Sequence, residues 1–136
     1  PSVTDASGVN GMLEHSKVCI ASALTHAPEG VDEEEYEAGA VQNFRNLLVC
    51  TGDRPAQACQ REASRDAVLA VARLEPALRS EVYLQALKQV SGNPNPRSVR
   101  SGWGLLHSLC LDAPPHPEIA EFVRAAFRDA ADGEGE

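Results

Sequence analysis

The chain has 136 residues, of which 24% are charged, and a formal net charge of −8 at pH 7. A chain of this length forms one domain and buries about two-thirds of the surface that its unfolded form exposes. The acidic charge argues against nucleic acid and anionic membranes as partners, because both repel it at long range. No stretch approaches the ~20 consecutive apolar residues that a bilayer span needs.

Both ends of the chain are expected to be linkers. Residues 1–12 begin without an initiator methionine and lack the charged-then-apolar layout of a signal peptide, which favours a linker inside a longer protein. Residues 131–136 are polar and acidic, and we expect them to form a flexible tail. The predicted folded domain therefore spans residues 13–130.

The N-terminal half predicts two helices. An apolar run over residues 18–24 predicts a short helix that ends before the Pro-Glu-Gly turn at 28–30. Asp32 can cap the free amides of the second helix, whose acidic first turn favours the positive helix end. Helix-start chemistry explains the acidic run 32–37 better than a calcium loop, whose alternating ligands and central glycine are missing. Apolar residues then recur at helical spacing, at Ala40, Val41, Phe44, Leu47 and Leu48.

The C-terminal half predicts four further helices. They cover residues 61–74, the stretch from Pro76 to Val90, residues 99–111, and the segment after Pro117. Since no run of β-branched residues shows the period of two that strands require, the predicted fold is all-α, a compact orthogonal bundle of six or more helices. Three large side chains are expected to be buried: Phe44, Leu84 and Trp103.

Two glutamines stand out on the stretch from Pro76 to Val90, which is apolar on several sides and therefore predicts a central helix. Buried glutamines that lack partners cost about 1–3 kcal/mol each. The Asn93–Pro96 loop offers backbone groups with few regular partners, because its two prolines lack amide hydrogens. We therefore expect Gln85 and Gln89 to bond to this loop, a structural role that needs no ligand.

Several short motifs follow one another in the chain: Gly52-Asp53-Arg54-Pro55, Glu81-Val-Tyr-Leu-Gln85, Lys88-Gln89, Asn93-Pro94, and Gly102-Trp103 with Leu105-Leu106. In order and spacing, these motifs resemble those of the myosin tail homology 4 (MyTH4) domain family over residues 13–128. His116 departs from the family pattern, in which a serine commonly caps the last helix. By this resemblance the structural motif residues are Gly52, Asp53, Pro55, Gln85, Gln89, Asn93, Pro94 and Trp103.

The resemblance implies a compact helical module without catalytic activity, in the cytoplasm and associated with the cytoskeleton. Such modules usually precede a FERM domain in the same chain, pack against it, and recognise cargo or receptor tails. Relatives occur in myosins, a kinesin, pleckstrin-homology-containing proteins and a Rho GTPase-activating protein. The resemblance does not choose among these parent types, nor does it specify a partner or an oligomeric state.

The residues themselves predict no enzyme, cofactor or metal site. The sequence contains no phosphate-binding loop, no nucleotide fingerprint and no nucleophile beside a base. Its four cysteines and four histidines are scattered, and none shows the spacing of zinc ligands. The cysteines are expected to be reduced thiols, which favours a reducing compartment such as the cytosol.

A local excess of basic residues is the one feature that indicates a binding surface. Residues 61–111 carry seven basic and four acidic side chains, whereas both flanking stretches are strongly acidic. If Lys88, Arg97 and Arg100 lie together on the surface, they can engage an acidic partner such as a microtubule. If they are separated, they are ordinary solvated side chains. A third alternative is a regulatory helical domain attached to a GTPase-activating or motor enzyme.

Overall fold

The computed structural model describes residues 14–134, which fold into five α-helices. No strand occurs in this part of the chain, which confirms the all-α class. None of these helices is long and apolar enough to cross a bilayer. The predicted linker, residues 1–12, lies outside the described residues. The helices are α1 (Glu33–Cys50), α2 (Ala58–Leu74), α3 (Pro76–Val90), α4 (Pro96–Asp112) and α5 (Pro117–Glu134).

The predicted six or more helices are not found in the described part of the chain, where the run 18–24 forms turns and irregular chain rather than a helix. Its amides bond to acidic side chains of other elements. Ala23 N donates to Glu37 Oε2 at 2.5 Å, and Leu24 N donates to Glu81 Oε2 at 2.9 Å. A short run gains little from its own helical bonds, so these tertiary partners outweigh its local preference.

The cap predicted for α1 is present, and polar side chains or glycine mark other helix ends. Asp32 Oδ2 accepts a hydrogen bond from Glu35 N at 2.9 Å and caps α1. Gly52 follows the end of α1 with a φ of 84°, a left-handed conformation that side chains disfavour. The Asn95 side chain accepts from Arg97 N at 3.0 Å and starts α4.

The last helix begins at Pro117, where the sequence places it. The ring Nε2 of His116 lies 2.9 Å from Pro76 O, so this side chain ties the start of α5 to the start of α3. At the other end, α5 continues to Glu134, through most of the stretch that was expected to be a flexible tail.

Within residues 14–134, one apolar core lies between the helices. Phe44 is fully buried, as predicted, whereas Leu84 and Trp103 are only half-buried. Trp103 packs edge-on against Phe127 of α5, with ring centroids 5.0 Å apart, and lines a surface groove. Fully buried core residues include Leu47, Leu48, Val68, Ala72, Tyr83, Ala86, Leu106 and Leu109.

α3 and α4 approach each other closely at Gly102. A Cβ at this position would lie 2.5 Å from Val90 Cγ1, which is far inside van der Waals contact. Gly104, by contrast, has open space where a Cβ would be. Only one of the two glycines is therefore required by packing.

Candidate functional site

Two loops meet at one end of the bundle and join the predicted motif residues into a buried polar network. The carboxylate of Asp53 is its centre: Oδ2 accepts from Thr51 Oγ1 at 3.0 Å, Gln89 Nε2 at 3.2 Å and Ser98 Oγ at 2.9 Å. His15 Nε2 lies 3.1 Å from Asp53 Oδ1, although neither atom forms a regular hydrogen bond within the described residues. The Gly52-Asp53 motif therefore serves the fold.

Gln89 makes contacts other than those predicted for it. Its side chain clamps the N-terminal segment: Oε1 accepts from Ser16 N at 3.1 Å, and Nε2 donates to Ser16 O at 2.8 Å. The prediction that its side chain bonds to the Asn93–Pro96 loop is wrong. The loop instead contacts the backbone of Gln89: the Asn93 side chain donates from Nδ2 to Gln89 O at 2.8 Å. Asn93 also donates to Ser98 Oγ at 2.8 Å.

Gln85 lies one turn away and bonds to α1 rather than to the loop. Its Nε2 donates to Ala40 O and to Glu81 Oε2, both at 2.9 Å, and its Oε1 accepts from Asn43 Nδ2 at 2.8 Å. The prediction for this glutamine is therefore also wrong as to partner, although the residue is fully buried. Two residues of α1 and Glu81, one turn earlier on α3, satisfy it.

Glu81 has a role that the sequence reasoning missed. Its side chain is fully buried. The carboxylate accepts from Leu24 N and Thr25 N, both at 2.9 Å, and from Thr25 Oγ1 at 2.6 Å. The available signal was a charged residue in a helix that is apolar on several sides, since a carboxylate in that setting requires donors.

Lys88 does not lie on the surface with Arg97 and Arg100. It is 5% exposed, and its Nζ donates to Glu14 O at 2.5 Å. Burial lowers the pKa of this amine, while the nearby Glu14 carboxylate acts in the opposite direction. The predicted basic patch therefore loses one of its three members. α3 is central, so a lysine on it meets neighbouring chain rather than solvent.

Arg97 and Arg100 instead share a polar cavity with Arg61, which we call the arginine groove. Arg61 lies in the first turns of α2, whereas Arg97 and Arg100 lie in the first turns of α4, and all three are exposed. Within residues 14–134, none of the three forms an ion pair. The cavity has a volume of about 500 Å³ and is lined by Cys50, Thr51, Gly52, Arg61, Asn95, Arg97, Arg100 and Ser101.

The sequence reasoning missed Arg61 as a member of this group. It included the residue among the basic side chains but could not place it beside Arg97, since the two are far apart in the chain. Cys50, at the floor of the same cavity, is a free thiol. Burial is the largest influence on this thiol and raises its pKa to about 12, so the thiol stays protonated at neutral pH.

A second concave surface lies between α3, α4 and α5, and we call it the apolar groove. Phe122 on its rim is 50% exposed, and Trp103 forms part of its floor. The groove has a volume of about 510 Å³, and its apolar lining residues are Leu87, Val90, Val99, Trp103, Phe122, Ala126 and Ala130. Half-exposed aromatic side chains beside a groove are typical of protein contact surfaces.

Comparisons with known proteins agree with this fold. The chain is 34% identical over 123 residues to the high molecular weight form of myosin-1 from Acanthamoeba castellanii, covering 88% of this chain and 7% of that protein. It is 25% identical over 121 residues to human unconventional myosin-XVB, covering 89% of this chain and 4% of that protein. The chain thus spans only a small part of the curated relatives it matches.

Solved structures of the Dictyostelium discoideum myosin VII MyTH4-FERM MF2 domain share the fold. One superposes with a TM-score of 0.78 at 22% identity and covers 93% of this chain and 25% of that one. A mutant form gives a TM-score of 0.72 at 24% identity, covering 81% of this chain and 21% of that one. The MyTH4 domain profile matches residues 66–136. The resemblance seen in the sequence motifs is therefore confirmed, and the chain belongs to the MyTH4 domain family.

Proposed function

We propose that this domain is a non-catalytic protein-interaction module in the tail of a myosin-like protein, where it packs against a FERM domain of the same chain. The observation that carries the proposal is family membership together with structural neighbours that are MyTH4-FERM proteins. The pair would bind cargo or receptor tails in the cytoplasm, at the cytoskeleton. The two myosin relatives support that location.

The apolar groove is our candidate for the surface that meets the neighbouring domain. α5 borders the groove along its length, so a domain joined after α5 would begin beside it. Phe122 exposes apolar surface there, and covering it would contribute roughly 25 cal/mol for each Å² removed from water. Intramolecular domain interfaces are commonly of this mixed, partly apolar kind.

The test uses the parent protein's tail fragment that contains this domain and the region following it. We expect one cooperative unfolding transition and slowed amide exchange around Trp103 and Phe122 relative to the isolated domain. Phe122→Ser should separate the transition into two. Leu111→Ser is the matched control, because Leu111 is 72% exposed but does not line the groove. Two independent transitions in the wild type, with no added protection, would contradict the proposal.

Regulation of an attached motor is a second candidate, supported by the fact that both curated relatives are myosins. In this case the domain would change the ATPase activity of the motor without chemistry of its own. The measurement is the actin-activated ATPase rate of the parent protein with and without this domain. An unchanged rate would reject the regulatory role and leave the packing proposal untouched.

Microtubule binding has weaker support. Lys88 is buried, so only Arg97 and Arg100 of the predicted patch are available, and the net charge of −8 repels acidic tubulin. Co-sedimentation with microtubules at low and physiological salt, with Arg97→Glu as the comparison, tests it. No sedimentation at low salt would reject it.

A further inference from the structure

We propose that the arginine groove binds a phosphoryl group on a partner protein, carried by a phosphoserine or phosphothreonine side chain. This inference goes beyond the proposed function and does not depend on packing against a FERM domain. It starts from an uncompensated charge: Arg61, Arg97 and Arg100 surround one cavity of about 500 Å³. Like charges held around one cavity repel one another, and an anionic ligand removes that repulsion.

Three of the seven arginines outside the groove pair with a carboxylate, whereas Arg45, Arg54, Arg65 and Arg79 have no such partner among the described residues. What distinguishes the groove is that it brings three arginines without an ion pair to one cavity. Arg73 pairs with Asp112 at 3.9 Å, and both Arg124 and Arg128 contact Glu121. In the groove, by contrast, no carboxylate of the described residues pairs with any of the three guanidinium groups. Two acidic residues adjoin the groove in the sequence. The carboxylate of Asp53 is turned inward and bonded to buried partners, and that of Glu62, next to Arg61, forms no ion pair with a groove arginine.

The groove is also held in place by the surrounding structure. Asn95 accepts from Arg97 N at 3.0 Å, and Ser98, between the two groove arginines of α4, bonds to Asp53 at 2.9 Å. These contacts fix the backbone of the first turn of α4. Arg61 Nη1 donates to Ala56 O at 2.6 Å, which holds that side chain across the start of α2. A site with a fixed backbone loses less entropy when the ligand binds.

A phosphoryl group fits this cavity better than an acidic peptide segment does. It concentrates about −1.5 to −2 charges and three acceptor oxygens in one compact group. Guanidinium groups offer paired donors that match such oxygens, and arginine clusters are a recurring means of recognising phosphorylated side chains. The Ser101 hydroxyl on the same cavity wall can add a further donor. Acidic segments carry their charges one per residue and suit longer basic surfaces.

A lipid phosphate would offer the same chemistry from another source. The chain's net charge of −8 opposes approach to an anionic membrane, and the two stretches flanking residues 61–111 carry much of that acidity. A phosphorylated side chain on a protein can approach the groove without bringing an extended anionic surface close to the domain. The observations therefore favour a protein carrier, and a membrane becomes an alternative outcome of the test.

The experiment is a fluorescence-polarisation titration of the 136-residue chain with the labelled peptide Gly-Ala-phosphoSer-Ala-Gly. Matched peptides carry serine or glutamate at the central position, and a parallel arm uses phosphatidylcholine vesicles containing a bisphosphorylated phosphatidylinositol. We expect saturable binding of the phosphopeptide, no binding of the serine peptide, and at least about tenfold weaker binding of the glutamate peptide. Inorganic phosphate should compete with the phosphopeptide.

Variants assign the binding to the groove. Arg97→Gln and Arg100→Gln should each weaken phosphopeptide binding about tenfold, since each removes a charge-assisted donor pair. Arg124→Gln is the control, because Arg124 is exposed on α5 and pairs with Glu121, and it should bind like the wild type. Circular dichroism checks that each variant is folded. Equal binding of the glutamate peptide, unchanged binding by both groove variants, or binding to vesicles alone would each overturn the proposal.

Discussion

The buried network around Asp53 and the arginine groove adjoin the same two loops, yet they have opposite character. The network faces inward, and the carboxylate at its centre accepts three hydrogen bonds and contacts a histidine. The groove faces outward, and its three arginines have no carboxylate partner among residues 14–134. Thr51 belongs to both, since its hydroxyl donates to Asp53 while the residue lines the groove.

The difference separates what the fold requires from what a partner can use. Buried polar groups must find partners inside the protein, so the network is satisfied and stabilises the contact between the loops. Exposed charges can remain without a protein partner because water solvates them, but they are then available to a ligand. Substitutions in the network should therefore change stability, whereas substitutions in the groove should change binding.

The largest effect is expected for Asp53→Ala. The substitution removes an acceptor shared by Thr51, Gln89 and Ser98 and the contact with His15. Thr51 and Gln89 keep backbone carbonyl acceptors, whereas the Ser98 hydroxyl loses its carboxylate partner. We expect a loss of about 3–5 kcal/mol in the free energy of unfolding, the cost of breaking a buried charged network. Urea unfolding followed by circular dichroism measures it.

Asp66→Ala is the matched control for this substitution. Asp66 is exposed on α2 and forms no ion pair among the described residues. The free energy of unfolding should change by less than about 0.5 kcal/mol. Equal effects of the two aspartate substitutions would remove the distinction between network and surface.

Gln89→Leu should have the next largest effect, a loss of about 1–3 kcal/mol. The leucine keeps the volume but removes both bonds to Ser16 and the bond to Asp53. Amide exchange should rise most at Ser16, because that segment loses its clamp. Gln42→Leu, on the exposed side of α1, is the control and should leave both observables unchanged. If the Ser16 amide exchanged at the wild-type rate in Gln89→Leu, the bonds from Gln89 would not be what holds that segment.

The two glycines of α4 extend the comparison to apolar packing, because one is packed against α3 and the other faces open space. Gly102→Ala places a methyl group against Val90, where α3 and α4 support the loop between them, and should cost about 1–2 kcal/mol. Gly104→Ala meets nothing and should stabilise the domain by about 0.5–1 kcal/mol through helix propensity. Thermal unfolding of both variants checks the opposite signs. Stabilisation by both would show that the helices can separate at no cost.

The smallest effect on stability is expected for the double variant Arg97→Gln/Arg100→Gln. Both side chains are exposed and have no ion pair to lose, so the free energy of unfolding should stay within about 0.5 kcal/mol of the wild-type value. Urea unfolding under the conditions used for Asp53→Ala checks it. A loss comparable with that of Asp53→Ala would mean that the groove also serves the fold.

The sequence predicted the helices from Asp32 onward well, because each has a cap or a proline at its start and apolar residues at helical spacing, on one side in most of them and on several sides in α3. It failed for the run 18–24, which is too short for its periodicity to distinguish a helix from chain held by side chains. Only the tertiary structure supplies the partners, such as Glu81, that determine its course.

The site was less predictable than the fold for a related reason. Gln89 was expected to have a structural role, but its partner Ser16 lies 73 residues away in the chain and has no local signal. The same distance concealed Arg61 from the group of basic residues. Lys88 was predicted to lie on the surface because a charged residue normally favours solvent. Nothing in the sequence indicates that Glu14 O accepts a hydrogen bond from its amine.

The measurement that tests the account most directly is a ¹⁵N–¹H spectrum of the chain during titration with the phosphoserine peptide. The account predicts shifts at Gly52, Arg97, Arg100 and Ser101, which line the groove, and little change at Ser16 and Gln89 inside the network. Shifts centred on Trp103 and Phe122 in the apolar groove, or no shifts at saturating peptide, would contradict it.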